Sequence, residues 1–496
     1  MKQLINTLFL IMLFPICSWS QQLVLRGDYP DPSVVKIGDT YWATATTSNW
    51  APAFPILKSK DLINWQVVSN VFTNLPQWAD YYFWAPEISY DNNKVYIYYS
   101  AHKKGGNLCI GVASADQPEG PYTDLGPIMC QEVGSIDAFP MRDNDGKLYL
   151  VWKEDGNSVK KPTSIWAMEM KEDRTGLIGE KKELFHNSVP WEGNLVEGVS
   201  MIRHGDYIYA FYAANGCCGG ACTYATGIAR SKSLLGPWEK YSGNPILVGG
   251  GEWICPGHGT PVAKEGKHYF LFHAYNKASS VYTGRQGLLI EYTITPDSWI
   301  KFVKPSEPKP NAPLYKSSYD FINEKMATHW QWSVFEKPQF TFKGSALYLS
   351  ASPSYPGSFI GHKTISGNYT ATTTVSVQKA SAATGIGLIG DEKNVISLYY
   401  DKGKLLIVQI KGGKKSTLIS RSLSNTQSLT MGVQVREGKN ITFLYSPSGK
   451  DLKKLNLTPI NGSYLPPWDR AVRVGLFAKG DSTRVGVFDN FELKNK

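Results

Sequence analysis

Three carboxylates, Asp31, Asp137 and Glu197, stand in matching places along the first three hundred residues. Each lies just ahead of a strand-like stretch rich in aromatic residues: "YPDPSVVKIGDTYWATATT" from Tyr29, "SIDAFPMRDNDGKLYLVWK" from Ser135 and "VEGVSMIRHGDYIYAFYAA" from Val196. Pro30 and Pro32 restrict the backbone on both sides of Asp31. Taken singly, an acid between prolines reads as a turn, because Asp is common there. Three acids facing one another have a more specific use. Cleaving a glycosidic bond takes one carboxyl group to protonate the leaving oxygen and a second carboxylate to activate water or attack directly. A third can raise the pKa of the acid by like-charge repulsion, so that it keeps its proton near neutral pH.

Such acids meet only if the elements around them repeat. Two further segments share the shape of these three: "WAPEISYDNNKVYIYYSA" from Trp84 and "PGHGTPVAKEGKHYFLFHA" from Pro256. Each has a short apolar strand, a turn rich in Gly, Asp or Asn, and an alternating aromatic strand. A second strand pair follows each, as in "PILKSKDLINWQ" and "GIARSKSLLGPWEK". Five units spaced by roughly 50–60 residues predict a five-bladed β-propeller over residues 21–303. The first strand of each blade lines the central channel, so Asp31, the Trp84–Glu87 stretch, Asp137, Glu197 and His258 are expected to converge on one funnel. A purely structural framework would place apolar side chains there, because buried ionised carboxylates are costly unless paired. Trp84 and Phe139 near the same rim would offer flat faces to sugar rings. Beyond this region, "KPSEPKPNAPLYKSS" reads as a linker over residues 304–318. Alternating strands over residues 319–496 then predict a jelly-roll β-sandwich.

The bulk composition agrees with an all-β globular chain. Hydrophobic residues make up 42% and aromatic residues 13%, with 46 Gly and 29 Pro for turns. The net charge of +10 could signal a nucleic-acid or membrane surface. However, Lys and Arg are scattered rather than clustered, which argues against nucleic acid and for a solvated surface. Lys2 followed by the apolar run Leu8 to Phe14, with Ser18 and Ser20 flanking Trp19, reads as a signal peptide over residues 1–20. That run is too short to span a bilayer, so the expectation is an exported protein, periplasmic or extracellular. Six cysteines remain after it, and disulfides are permitted there. Cys109 and Cys130 are placed to bridge neighbouring outer strands. "NGCCGGAC", with Cys217, Cys218 and Cys222, and Cys255 beyond it, reads as a disulfide-held loop near the funnel rim. Its spacing matches no established zinc pattern.

The motifs "DYPDPSV", "WAPEI", "SIDAFPMRDNDGKLYLVW", "EGVSMIRHGDYIYAFY" and "PGHG", in this order, resemble glycoside hydrolase family 43. "YDFINEKMATHWQWSVFEKPQF" looks like the start of the C-terminal sandwich that many members carry, β-xylosidases included. The resemblance implies an inverting mechanism that needs no cofactor for its chemistry. It makes Asp31 the general base that activates water, Asp137 the group that orients it and raises the acid's pKa, and Glu197 the general acid. It puts His258 beside a central cation, commonly calcium, or ordered water. Arg285 in "TGRQGLLIEY" would reach into the site. Two departures loosen any subfamily assignment: Ala138 follows Asp137 where many members have proline, and the "NGCCGGAC" insert is unfamiliar. The expected activity is that of an exo-acting α-L-arabinofuranosidase on plant cell-wall polysaccharide or oligosaccharide, with β-xylosidase as the alternative. A non-catalytic glycan-binding propeller and a propeller fructosidase are the readings from other classes. The first has no need of three acids, and the Asn-Asp-Pro-Asn and Glu-Cys motifs of the second are missing.

Overall fold

The computed structural model describes residues 21–303, 316–322, 326–423 and 426–496. The expected signal peptide and most of the expected linker lie outside the described residues.

Four antiparallel sheets of four strands and a fifth of five strands form the propeller. The first runs Ser33–Ile37, Thr40–Thr44, Ala53–Ser59, Gln66–Phe72, and the second Ala79–Asp91, Lys94–Lys103, Leu108–Ala115, Thr123–Cys130. The third runs Ser135–Arg142, Leu148–Glu154, Ser164–Met170, Leu177–His186. The fourth runs Val196–His204, Tyr207–Ala214, Ala225–Ser231, and ends in the two-residue strand Glu239–Lys240. The fifth runs Trp253–Lys264, Lys267–Asn276, Arg285–Ile294, and Ile300–Phe302 also pairs with Arg285–Ile294. The outer strand of this blade comes from the other end of the chain. Gln22–Leu25 lies antiparallel to Arg285–Ile294, with Gln22 opposite Leu289, and so ties the ring shut. The repeat in the sequence carries no signal for that pairing, because Gln22–Leu25 precedes the first unit.

The aromatic second strands are explained by what they separate. In Lys94–Lys103, Val95, Ile97, Tyr99 and Ala101 pack with Phe54, Phe72 and Phe83 towards the first blade. Tyr96 and Tyr98 point the other way and pack with Ala138, Leu150 and Trp152 of the third. Side chains alternate along a strand with a period of two, so a sheet held between two others must be apolar on both faces. Truncating one of these fully buried rings, Trp152 for example, would cost about 3–5 kcal/mol.

The C-terminal part is a sandwich of two antiparallel sheets, one of nine strands and one of six. Leu347, Ile386, Leu398, Phe443, Leu476 and Phe488 lie in its core. The two parts share a continuous junction. Trp332–Ser333 pairs antiparallel with Trp50–Ala51 of the propeller. Both terminal nitrogens of the buried Arg473 guanidinium donate to Asp28 Oδ2 at 3.1 Å, and Arg473 Nε donates to Gln331 Oε1 at 2.8 Å. This junction brings the loop Trp468-Asp469-Arg470 over the end of the propeller.

Candidate active site

One backbone device, used in every blade, positions the site. Asp31, Ala85, Asp137, Gly198 and His258 all have positive φ, between 39° and 61°. In the second, third and fourth blades the pairing register skips at this point, between Trp84 and Glu87, Ile136 and Phe139, and Glu197 and Ser200. Each is a bulge with a left-handed residue at the head of the innermost strand. Bulges re-aim side chains, and a left-handed non-glycine residue costs of order 1–3 kcal/mol. Asp tolerates that conformation better than most residues. Gly198 needs it for a second reason, since a Cβ there would come within 2.7 Å of the His258 ring. The three acids therefore do not occupy one equivalent position, as the repeat suggested. Asp31 and Asp137 are the left-handed residues themselves. Glu197 precedes one and shares its position with Trp84 and Ile136.

These devices empty into a cavity of about 500 Å³. Asp31, Trp84, Asp137, Glu197, His258 and Arg285 all line it, as do Cys217 and Cys218. Phe139 does not. The bulge at Asp137-Ala138 turns its ring into the cluster between the third and fourth blades, against residues such as Val199 and Met201, so it is a packing residue rather than a sugar platform. Among the described residues three disulfides are formed. Cys109–Cys130 joins register partners on adjacent strands, Cys222–Cys255 ties the insert to the fifth blade, and Cys217–Cys218 links neighbours in sequence.

Asp31 is the most tightly held of the acids. Arg285 donates to Oδ1 at 3.0 Å and Thr46 Oγ1 to Oδ2 at 2.7 Å. His258 Nδ1 lies 3.5 Å from Oδ1. Burial alone would raise its pKa. The Arg285 guanidinium above all, with His273 and His258 beside the carboxylate, overcomes this and holds Asp31 well below the usual carboxylate range, so it is ionised. His273 Nδ1 lies 3.0 Å from the Asp31 backbone nitrogen and 3.2 Å from Asp31 Oδ1. Burial pushes His273 down to about 4.

Asp137 and Glu197 behave differently. Asp137 Oδ2 accepts from the Gly198 N–H at 2.9 Å, and burial, with the nearby negative charge of Glu197, pushes its pKa up to about 6. Glu197 is also buried, which raises its pKa. Lys153 Nζ at 2.7 Å from Oε2 more than offsets this, and Tyr224 donates its O–H to Oε1 at 2.9 Å. Lys153 is itself buried and also bonded to Asp155 at 3.0 Å. Two interacting carboxyls of this kind titrate as a pair. Of the pair, Asp137 is pushed up by burial and Glu197 is held down, because Lys153 stabilises the charge on Glu197.

Among the described residues no group of three or more His, Cys, Asp or Glu is placed to hold a metal ion. Around His258, Asp31 is already matched by Arg285 and Asp137 by the Gly198 N–H. These side chains do not by themselves fit a cation.

The sequence reading missed Lys153 and Tyr224, and also the sandwich loop. Trp468 and Asp469 line the cavity from the C-terminal part. Trp84 stacks on Tyr82 and meets Trp468 edge-on, with ring centres 4.2 and 5.7 Å apart. Its indole N–H donates to Ser48 Oγ and Asp469 Oδ2 at 3.1 and 3.2 Å, and Ser48 bonds Asp469 directly. Arg285 spans both parts, donating from its other nitrogen to the Asp469 carbonyl at 3.0 Å. Lys153 lies near the end of the aromatic strand in "LYLVWK", and only its repeat position could have flagged it. Trp468 and Asp469 lie more than four hundred residues from Asp31 and carry no local signal.

Comparisons with known proteins give the family. The family model of glycosyl hydrolases family 43 matches residues 20–300, more than half the chain. The model of the beta xylosidase C-terminal concanavalin A-like domain matches residues 318–494. The chain belongs to glycosyl hydrolases family 43. It is 29% identical over 270 residues to a xylan 1,3-beta-xylosidase from a Vibrio species, an alignment covering 51% of this chain and 49% of that protein. The chain thus spans about half the length of this relative. It is 24% identical over 445 residues to the non-reducing end alpha-L-arabinofuranosidase BoGH43B of Bacteroides ovatus, covering 81% of this chain and 78% of that one. Its fold matches that of a xylan beta-1,4-xylosidase from Bacillus halodurans with a TM-score of 0.81 at 21% identity, over 96% of this chain and all of the other.

Proposed function

We propose that the protein is an exo-acting, inverting hydrolase that releases terminal α-L-arabinofuranosyl residues from plant cell-wall polysaccharide or oligosaccharide. The observation that carries this reading is the division of charge in one cavity. Asp31 is held ionised by Arg285, while the Asp137–Glu197 pair keeps a proton up to about pH 6. Carboxyls driven apart in this way can serve as base and acid. Asp31 acts as general base on a water, which adds to the anomeric carbon as the glycosidic bond breaks. Glu197 acts as general acid and gives its proton to the departing oxygen. Asp137 supplies that proton's reservoir, and its negative charge, once formed, favours the protonated form of Glu197 against Lys153. Trp84 offers a ring face to the sugar and Arg285 positions Asp31.

The exo mode is supported by Trp468 and Asp469, which wall one side of the cavity and would obstruct a through-running polymer. Arabinose as the sugar is supported by the long alignment with the Bacteroides relative. A second reading, β-xylosidase on xylo-oligosaccharides, is favoured by the type of the C-terminal domain. Export is supported by the three disulfides. The deciding experiment is a panel of the nitrophenyl glycosides of both sugars together with arabino- and xylo-oligosaccharides. The first reading expects arabinofuranoside turnover. Xyloside turnover alone would replace it with the second, and turnover of neither would make the propeller a binding module.

A further inference from the structure

The bond between Cys217 and Cys218 has no evident structural task. A disulfide stabilises mainly by closing a loop in the unfolded chain, and the effect grows with loop length. A bond between neighbours closes almost none. The insert is anchored without it. Cys222–Cys255 ties it to the fifth blade, and the Gly219 N–H donates to the Tyr275 hydroxyl at 3.3 Å. Asn215 Oδ1 accepts from the Gly216 N–H at 2.9 Å and from Thr223 Oγ1 at 2.7 Å, which closes the base of the loop.

What the bond does is fix a surface. It joins the two side chains into one small covalent ring that cannot change rotamer, and both residues line the catalytic cavity. Sulfur is polarizable and apolar in its contacts, which suits the C–H face of a sugar ring. Location sets which ring. Both cysteines are partly exposed, whereas Asp31, Asp137 and Glu197 are buried below them. The loop leaves the strand on which Ala213 pairs with Glu197, so it rises on the side of the acid. Resting on the roles proposed above, that is the side from which the leaving group departs.

We infer that the Cys217–Cys218 disulfide is the apolar wall of the leaving-group subsite, packing against the sugar ring next to the bond that is cut. The terminal sugar, deeper in the cavity, does not depend on it.

The test uses the full chain carrying Glu197→Gln to suppress turnover, with and without Cys217→Ala/Cys218→Ala. Binding of α-1,5-arabinobiose and β-1,4-xylobiose, and of arabinose and xylose, is measured by calorimetry. The expected result is that the cysteine variant loses about 5- to 30-fold in affinity for the disaccharide, the scale of one lost apolar contact, with affinity for the matching monosaccharide unchanged. Equal loss for both, or no loss for either, would overturn the inference. Binding of neither disaccharide to the parent would overturn the substrate reading itself, and the wall with it. If the variant fails to fold, the same titration is run after phosphine reduction, with peptide mass mapping identifying protein opened at Cys217–Cys218 and intact at Cys222–Cys255. The same split in affinity is expected, and its absence contradicts the inference.

Discussion

Lys153 Nζ lies 2.7 Å from Glu197 Oε2, and both side chains are buried. An ammonium so close to a carboxyl lowers its pKa, whereas protonation of a leaving group needs that pKa kept up. The site therefore balances Lys153 against Asp137 for control of one proton.

Replacing Lys153 with Met should tip that balance. Removing the positive charge raises the pKa of Glu197, so the protonated acid persists to higher pH. The alkaline limb of the kcat/KM profile should move upward by about one to three pH units, the usual effect of a close opposite charge. A pH–rate profile of the variant checks this, and an unmoved or lowered limb would contradict the assignment of Glu197 as acid.

Glu197→Gln should separate substrates by leaving group. Turnover of natural oligosaccharide should fall by about 100- to 10,000-fold, the usual worth of a positioned general acid. An activated aryl glycoside, whose leaving group needs little protonation, should lose much less. Equal losses on the two would remove Glu197 from the role.

The positions of these acids were legible in the sequence because the propeller repeats. Asp31, Asp137 and Glu197 could be aligned on the aromatic strands that follow them, and those strands were recognisable because both of their faces are buried. Their finer placement was not legible. The one-residue offset between Asp137 and Glu197 is measured against the bulge that both blades share, and the left-handed φ at Asp137 and Gly198 reveals it. Phe139 was misassigned for the same reason, since the bulge reverses which way its side chain points. Lys153 reaches the cavity from the second strand of the Asp137 blade, where only its place in the repeat marks it, and Trp468 and Asp469 reach it through domain packing, which leaves no mark on nearby residues. The N-terminal closing strand Gln22–Leu25 escaped notice because its partner lies at the far end of the propeller.

Glu87 offers a check on the propeller axis that is independent of catalysis. Burial pushes its pKa up to about 8 from an ordinary value of 4.5, against the opposing hydrogen bonds of Ser33 and of Thr260, which donates to Oε2 at 3.4 Å. Because the folded-state pKa lies above the unfolded one, the folded protein binds the extra proton between these values. Stability from this group is full below about pH 4.5 and is lost as pH rises through 8. Glu87→Gln should therefore flatten the fall in Tm between pH 5 and 8 relative to the parent protein. Parallel Tm curves would show that Glu87 is not protonated in the fold.

The junction between the two parts makes a prediction about stability and activity together. Arg473→Met leaves Asp28 buried without its cation, which should cost about 3–5 kcal/mol. Loss of the junction should also loosen the Trp468-Asp469 loop and raise KM before the propeller itself unfolds. Denaturation curves followed in parallel with steady-state kinetics test both. Stability within error of the parent would contradict the buried pair.

The central claim is that Asp31 directs one water at the anomeric carbon while Glu197 protonates the departing oxygen, in a single displacement. Proton NMR of the first-formed sugar, recorded before mutarotation, tests it most directly. The expected product is the anomer opposite in configuration to the substrate. A first-formed product that keeps the substrate's configuration would contradict it.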